Sequence, residues 1–171
     1  MLFTKIKKCR VSNDKNLIKI GKLGNFSLTG TFNKRKQNKD KKTPIELVFS
    51  NKSKLLQLAH NYDESKLFGT NYGYRSSLNK SMISHLREKK DRLVRIANPQ
   101  KKDSILDIGS NDGTLLNFYG KEHNLYAVDP TIIKFKKYYN KNIQKIPYIF
   151  NNQIKKKFKK NKIDFDVIYT I

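Results

Sequence analysis

The stretch Ile105-Leu-Asp-Ile-Gly-Ser-Asn-Asp-Gly113 constrains the fold of this chain more than any other. An apolar strand over residues 104–108 runs directly into two glycines four positions apart. Side chains at such a turn would obstruct a ligand and keep the next helix away from the strand, so Gly109 and Gly113 mark a strand-to-helix turn. Residues 114–119 begin a helix with Leu115, Leu116 and Phe118 apolar, and residues 125–128 form a second strand ending at Asp129-Pro130. A second helix over 131–139 has Ile132, Ile133 and Phe135 to bury. A third strand over 144–150, a Lys-rich helix over 152–160 and a fourth strand over 165–171 complete the pattern. Alternating strands and helices predict an α/β fold with a parallel sheet covered on both faces.

The turn also carries chemistry. A helix start offers unpaired backbone N–H groups to a polar ligand. The spacing is Gly-x-x-x-Gly and not Gly-x-Gly-x-x-Gly, so a ligand without a pyrophosphate fits better. Asp129 stands about 20 residues beyond the first glycine, at a strand end where an acid commonly receives ribose hydroxyls. A carboxylate suits that task because it accepts hydrogen bonds and donates none. Asp107, just before the turn, either faces a cationic end of the ligand or holds the loop. The competing reading is that both acids cap strand ends and the glycines only turn the chain. Their joint order on strand, turn, helix, strand and acid favours the ligand.

Upstream, residues 1–58 read as short strands broken by Gly21, Gly24, Gly30 and the polar run 33–42, with strands or turns at 45–49 and 54–58. A helix capped by Ser77 or Asn79 runs to about Ala97, and Pro99 ends it. Its apolar face is read as Met82, Leu86, Leu93, Ile96 and Ala97. His85 on this helix reads as a structural histidine, and His60 and His123 show no ligand spacing.

The formal net charge is +23. Clustered Lys and Arg reward contact with nucleic acid through counterion release. Here the excess is nearly all Lys and spreads along the whole chain, which favours compositional drift, and a nucleic-acid partner is not expected. A nucleic-acid-binding module remains the rival reading and requires residues 34–42 and 155–160 to share one face. The single cysteine, Cys9, excludes an internal disulfide. No run reaches the roughly 18 apolar residues of a membrane span, so a soluble cytoplasmic protein is expected.

The segment Asp107-Ile-Gly-Ser-Asn-Asp-Gly113 resembles the cofactor loop of class I S-adenosylmethionine-dependent methyltransferases. More narrowly, the chain resembles the sugar C-methyltransferases that act on nucleotide-linked deoxysugars and carry an N-terminal zinc-binding module. Leu23-Gly-Asn-Phe-Ser-Leu28, Pro44-Ile-Glu-Leu-Val48, Leu55-Leu-Gln-Leu58, Leu67-Phe-Gly-Thr-Asn-Tyr-Gly-Tyr-Arg-Ser-Ser77, Ser81-Met-Ile-Ser-His85 and Asp129-Pro130 carry this narrower likeness. It implies an incomplete Rossmann-like methyltransferase sheet over 100–171. A zinc-ribbon-like module over 1–58 and a substrate-proximal loop and core helix over 59–99 would precede it. It further implies that S-adenosylmethionine is lined by Asp107, Gly109, Ser110, Asn111 and Gly113, with Asp129 on its ribose. Tyr72, Tyr74 and Ser77 would approach the cofactor or the sugar.

Three departures qualify the likeness. The family's two Cys-x-x-Cys pairs correspond here to Cys9-Arg-Val-Ser12 and Ser50-Asn-Lys-Ser53. A serine hydroxyl stays protonated near neutral pH and is a poor zinc ligand, so no zinc is expected and residues 1–58 should be weakly stable alone. Tyr148 stands where relatives often place an acid. The chain also ends at the fourth strand, before the family's catalytic base and much of its sugar site. The expectation is therefore a methyltransferase fragment inactive alone, from a truncated frame, a split gene with a complementing C-terminal chain, or a decayed copy.

Overall fold

The computed structural model describes residues 1–28, 42–68 and 72–170. The basic run 34–42 expected to contribute to a nucleic-acid face lies outside them except for Lys42. The chain divides into two compact units, residues 1–73 and 74–171.

The first unit is built of antiparallel strands. β1 (Phe3–Lys5) pairs with β5 (His60–Tyr62). β2 (Leu17–Ser27), β3 (Lys42–Ser50) and β4 (Leu55–Leu58) form a meander, and a one-turn helix α1 (Glu64–Leu67) follows. Gly21 and Gly24, expected to break this region, do not break it, and Gly30 lies outside the described residues. β2 runs through Gly21 and Gly24, and its register against β3 shifts at both. Gly24 at φ +127 absorbs an extra residue as a bulge, which a glycine tolerates and most side chains do not.

In the second unit a 3-10 turn at Ser76–Leu78 precedes α2 (Lys80–Ala97). Asn79 is the cap, its side chain accepting from Ser81 N at 2.9 Å, and Asn98 closes the helix in the left-handed conformation just before Pro99. The buried stripe is Leu86 with Met82, Leu93 and Val94 against it. Ile96, expected on that face, is 72% exposed. At 100° per residue it lies about 80° around from Leu86. Ala97, the last residue of the helix, is exposed. His85, expected to be structural, is also exposed.

Four strands follow: β6 (Ser104–Ile108), β7 (Asn124–Val128), β8 (Ile143–Ile146) and β9 (Val167–Thr170). They form one parallel sheet in the order β8-β7-β6-β9. Alternate residues divide between two cores, as a period of two requires. Ile105, Leu125, Ala127, Ile143, Val167 and Tyr169 join Leu86, Leu115, Leu116, Tyr119 and Tyr139 on one face. Leu106, Tyr126 and Val128 meet Ile154 and Phe158 of α4 (Asn152–Lys160) on the other. Both faces are covered, which is why these strands read as nearly continuous apolar runs.

The helix expected over 114–119 is instead a single 3-10 turn at Leu116–Phe118. Six residues between Gly113 and Gly120 form too few intrahelical bonds to offset nucleation. Asn117 is also drawn aside, its Nδ2 donating to Tyr138 O at 2.8 Å. The second helix is likewise short, α3 (Ile132–Phe135) continued by a 3-10 turn at Lys136–Tyr138. Ile132 and Phe135 are buried; Ile133, expected to be so, faces solvent. The third strand stops at Ile146 because Pro147 has no N–H for the ladder.

Candidate functional site

The turn at residues 109–113 lies at the carboxyl end of β6, and Asp129 lies at the carboxyl end of its neighbour β7. Chain order reverses across β6, with β7 and β8 on one side and β9 on the other. In open α/β sheets the crevice beyond the strand ends at such a reversal is the usual ligand position.

Asn111 N donates to Asp129 Oδ2 at 2.9 Å, which joins turn and acid directly. Asp129 Oδ1 accepts from Thr131 N at 2.6 Å and from Thr131 Oγ1 at 2.5 Å. A carboxylate has roughly four lone-pair positions. Three are taken within the protein, which leaves one. The turn repeats this device. Asp112 Oδ1 accepts from Thr114 N and Thr114 Oγ1 at 3.2 and 2.5 Å. An aspartate two residues before a threonine is an Asx-turn signal visible in the sequence at both places.

Gly109 and Gly113 both have left-handed φ, +84 and +77. Gly109 is exposed at the rim. Gly113 is buried, and its role differs from the one expected. No α-helix follows it directly, only the 3-10 turn at Leu116–Phe118. A Cβ on Gly113 would stand 2.4 Å from Cδ1 of the Tyr139 ring. Tyr139 in turn ties the turn together: its hydroxyl donates to Asn111 O at 2.8 Å and hydrogen-bonds to Ser110 Oγ at 2.8 Å. Because Tyr has one proton to give, Ser110 is the donor to Tyr139. Ser110 is therefore buried within this relay and not free for a ligand.

The strip 74–77 is fastened onto the turn. Ser76 N and Oγ donate to Asn111 Oδ1 at 2.9 and 3.3 Å, and Asn111 Nδ2 donates to Tyr74 O at 3.2 Å. Ser77 N donates to Asp112 Oδ2 at 3.0 Å. Arg75 lies 3.8 Å from the same oxygen and 3.9 Å above the Tyr138 ring, and its guanidinium also donates to Ser77 Oγ. Tyr74 and Ser77 thus reach the turn through their backbones. Tyr72 belongs to the first unit, where its ring meets Phe68 at 5.6 Å. Sequence reasoning missed Arg75, Asp112, Thr131 and Tyr139. The two Asp-x-Thr spacings signal Asp112 and Thr131; Arg75 stands in the 67–77 stretch without a role, and nothing local marks Tyr139.

Asp107 sits inside the sheet, 2% exposed, beside Tyr169 in the β6–β9 register. Its Oδ1 has no hydrogen-bond partner, nor has the Tyr169 hydroxyl. It does not hold the loop. Burial, and secondarily the charge of Asp129, push its carboxyl up to about 8. Below about pH 4 this group is protonated in folded and unfolded chains alike. As pH rises toward 8 the unfolded carboxyl ionises while the folded one keeps its proton, so stability is progressively lost. Asp107→Asn removes the titration in nearly the same volume. Its unfolding midpoint should be flatter between about pH 4 and 8, with its gap over the parent's widening as pH rises toward 8. Parallel midpoint-versus-pH curves would contradict this assignment.

In the first unit the four positions corresponding to zinc ligands do converge. Cys9 Sγ and Ser53 Oγ share a hydrogen bond at 3.2 Å, Ser12 Oγ and Ser50 Oγ another at 3.3 Å. The hydroxyls of Ser12 and then Ser53 lower the Cys9 thiol to about 5. One sulfur and three neutral hydroxyls are a poor donor set for zinc, which takes thiolate, imidazole or carboxylate. The residues present do not fit the metal. Chelator treatment should leave the unfolding curve unchanged, and metal analysis of purified protein should find zinc well below one per chain.

No family model matches the chain. A search of curated proteins likewise finds no match.

Proposed function

We propose that the second unit binds S-adenosylmethionine as the donor-binding part of a class I methyltransferase, of the kind that C-methylates nucleotide-linked deoxysugars. The observation that carries this reading is the Asn111 N to Asp129 Oδ2 bond, which brings turn and acid together at the ends of adjacent central strands. The left-handed, exposed Gly109 supplies bare backbone at the rim. The remaining acceptor position on Asp129 suits a ribose hydroxyl. Asp107, buried within the sheet and protonated up to about pH 8, presents almost no surface to a ligand and is left out of this reading. S-adenosylmethionine, when bound, supplies an electrophilic methyl group; the chain's own residues bind and orient it.

Isothermal titration of the whole chain with S-adenosylhomocysteine tests the reading. One saturable site is expected, weakened about tenfold or more in Asp129→Asn. NADH, which carries a pyrophosphate, should give no comparable heat. Absence of S-adenosylhomocysteine binding to folded protein at millimolar ligand, or equal binding of NADH, would remove the proposal.

A further inference from the structure

The first unit contains a charged hollow that the donor-pocket reading does not use. It has a volume of about 520 Å³ and is formed by the loop around Cys9 and by Asn61. Five cations line it: Lys5, Lys7, Lys8, Arg10 and Lys15. No carboxylate is among the residues that line it. Asp14, between the lining residues Asn13 and Lys15 in sequence, accepts from Asn16 N at 2.9 Å and from Ser50 Oγ at 3.5 Å; these neutral donors leave its charge in place, and it offsets at most one of the five cations.

Arg10 makes the hollow more than a chance gathering of lysines. Nε donates to Asn61 Oδ1 at 3.2 Å. Nη1 donates to Gln57 Oε1 at 3.1 Å and Leu58 O at 2.7 Å. Nη2 donates to His60 O at 3.0 Å and Asn61 Oδ1 at 2.7 Å. All five guanidinium donors are satisfied, and every acceptor is a neutral carbonyl or amide oxygen. Among the described residues Arg10 makes no ion pair. Its charge is held in one place and is not cancelled. An ionised Cys9 would offset one of the five charges and leave the wall positive.

We propose that this hollow binds a small phosphate-bearing anion, with a diphosphate as its minimal ligand. Lys5, Lys7, Lys8 and Lys15 are exposed, so their ammonium groups can turn onto phosphate oxygens. Arg10 contributes field and not hydrogen bonds, because its donors are spent. A concave wall of one sign concentrates its potential in the hollow, which favours an anion over water and monovalent counterions. The volume falls within the roughly 300–1,000 Å³ of small-molecule sites. A nucleic-acid strand would call for an extended track of cations. The lysines of α4 provide the contrast: Lys155, Lys156, Lys157, Lys159 and Lys160 are all exposed on a convex helix face.

The site lies wholly in the first unit and is independent of S-adenosylmethionine binding. Its test is titration of the whole chain with inorganic pyrophosphate at constant ionic strength. One-site binding is expected, weakened about tenfold or more in Lys7→Gln/Lys8→Gln and by less than about twofold in Lys155→Gln/Lys156→Gln. Both pairs are exposed, and an unfolding curve coincident with the parent's verifies that each variant folds. Amide resonances displaced by pyrophosphate should belong to residues 5–15 and 57–61. Three results would overturn the proposal. One is no binding by the folded parent. Another is equal weakening in the two variants, which would mean only the general field of a basic chain. The last is tighter binding of a single-stranded RNA oligonucleotide weakened by both variants, which would make the basic surface a nucleic-acid face.

Discussion

Gly113→Ala should destabilise the second unit by about 3 kcal/mol, the sum of a left-handed backbone penalty and an overpacked contact. Both causes are local and visible. The residue has φ +77, and the added Cβ would meet three carbons of the Tyr139 ring at 2.4, 2.6 and 2.8 Å. The ring cannot swing freely, because its hydroxyl is bonded to Asn111 O and Ser110 Oγ. Relief therefore requires breaking the relay that shapes the turn. Gly120→Ala is the matched control. The three atoms nearest its Cβ would all belong to the Glu122 carboxyl group. That flexible, half-exposed group can move away, so the cost should be within about 0.5 kcal/mol. Urea unfolding of both variants makes the comparison. Equal midpoints would show that Tyr139 does not close over Gly113.

Asp129→Ala should cost a similar amount, about 3 kcal/mol, by leaving the donors of Asn111 N, Thr131 N and Thr131 Oγ1 without their shared charged acceptor. Thr131→Val removes only one of these donors and should cost about 1 kcal/mol. The first substitution also withdraws the negative charge that opposes ionisation of Asp107. The Asp107 carboxyl should then titrate lower, though still raised, because burial is the larger cause. Carboxyl carbon shifts followed by NMR against pH would report this directly. An unchanged Asp107 titration in Asp129→Ala would mean that the two acids do not sense each other.

Much of the second unit was legible in the residue order. Strands at 104–108 and near 125–128 follow from short apolar runs bounded by turn residues, and the parallel sheet follows from their alternation with helices. α4 was legible despite its lysines, because Ile154 and Phe158 stand four residues apart behind the Asn151 cap. Helices at 114–119 and 131–139 were overestimated. Those segments are held by side chains distant in sequence, such as Asn117 on Tyr138 O and Tyr139 on Asn111 O, and a local pattern does not contain such contacts.

The candidate site divides in the same way. Gly109, Gly113 and Asp129 could be named in advance, because backbone freedom and a carboxylate at a strand end are properties of the residues themselves. How many acceptor positions Asp129 keeps, that Ser110 is spent on Tyr139, and that Asp107 is buried without a partner depend on which groups the fold brings alongside. The first unit illustrates the point most plainly. Residue types ruled against zinc at Cys9, Ser12, Ser50 and Ser53, since hydroxyl chemistry belongs to the side chain. The uncancelled charge of Arg10 emerged only with the fold, because Gln57, Leu58, His60 and Asn61 lie about fifty residues along the chain. Chemistry that resides in one residue is written in the sequence. Chemistry that arises from a neighbour's proximity exists only once the chain has closed upon itself.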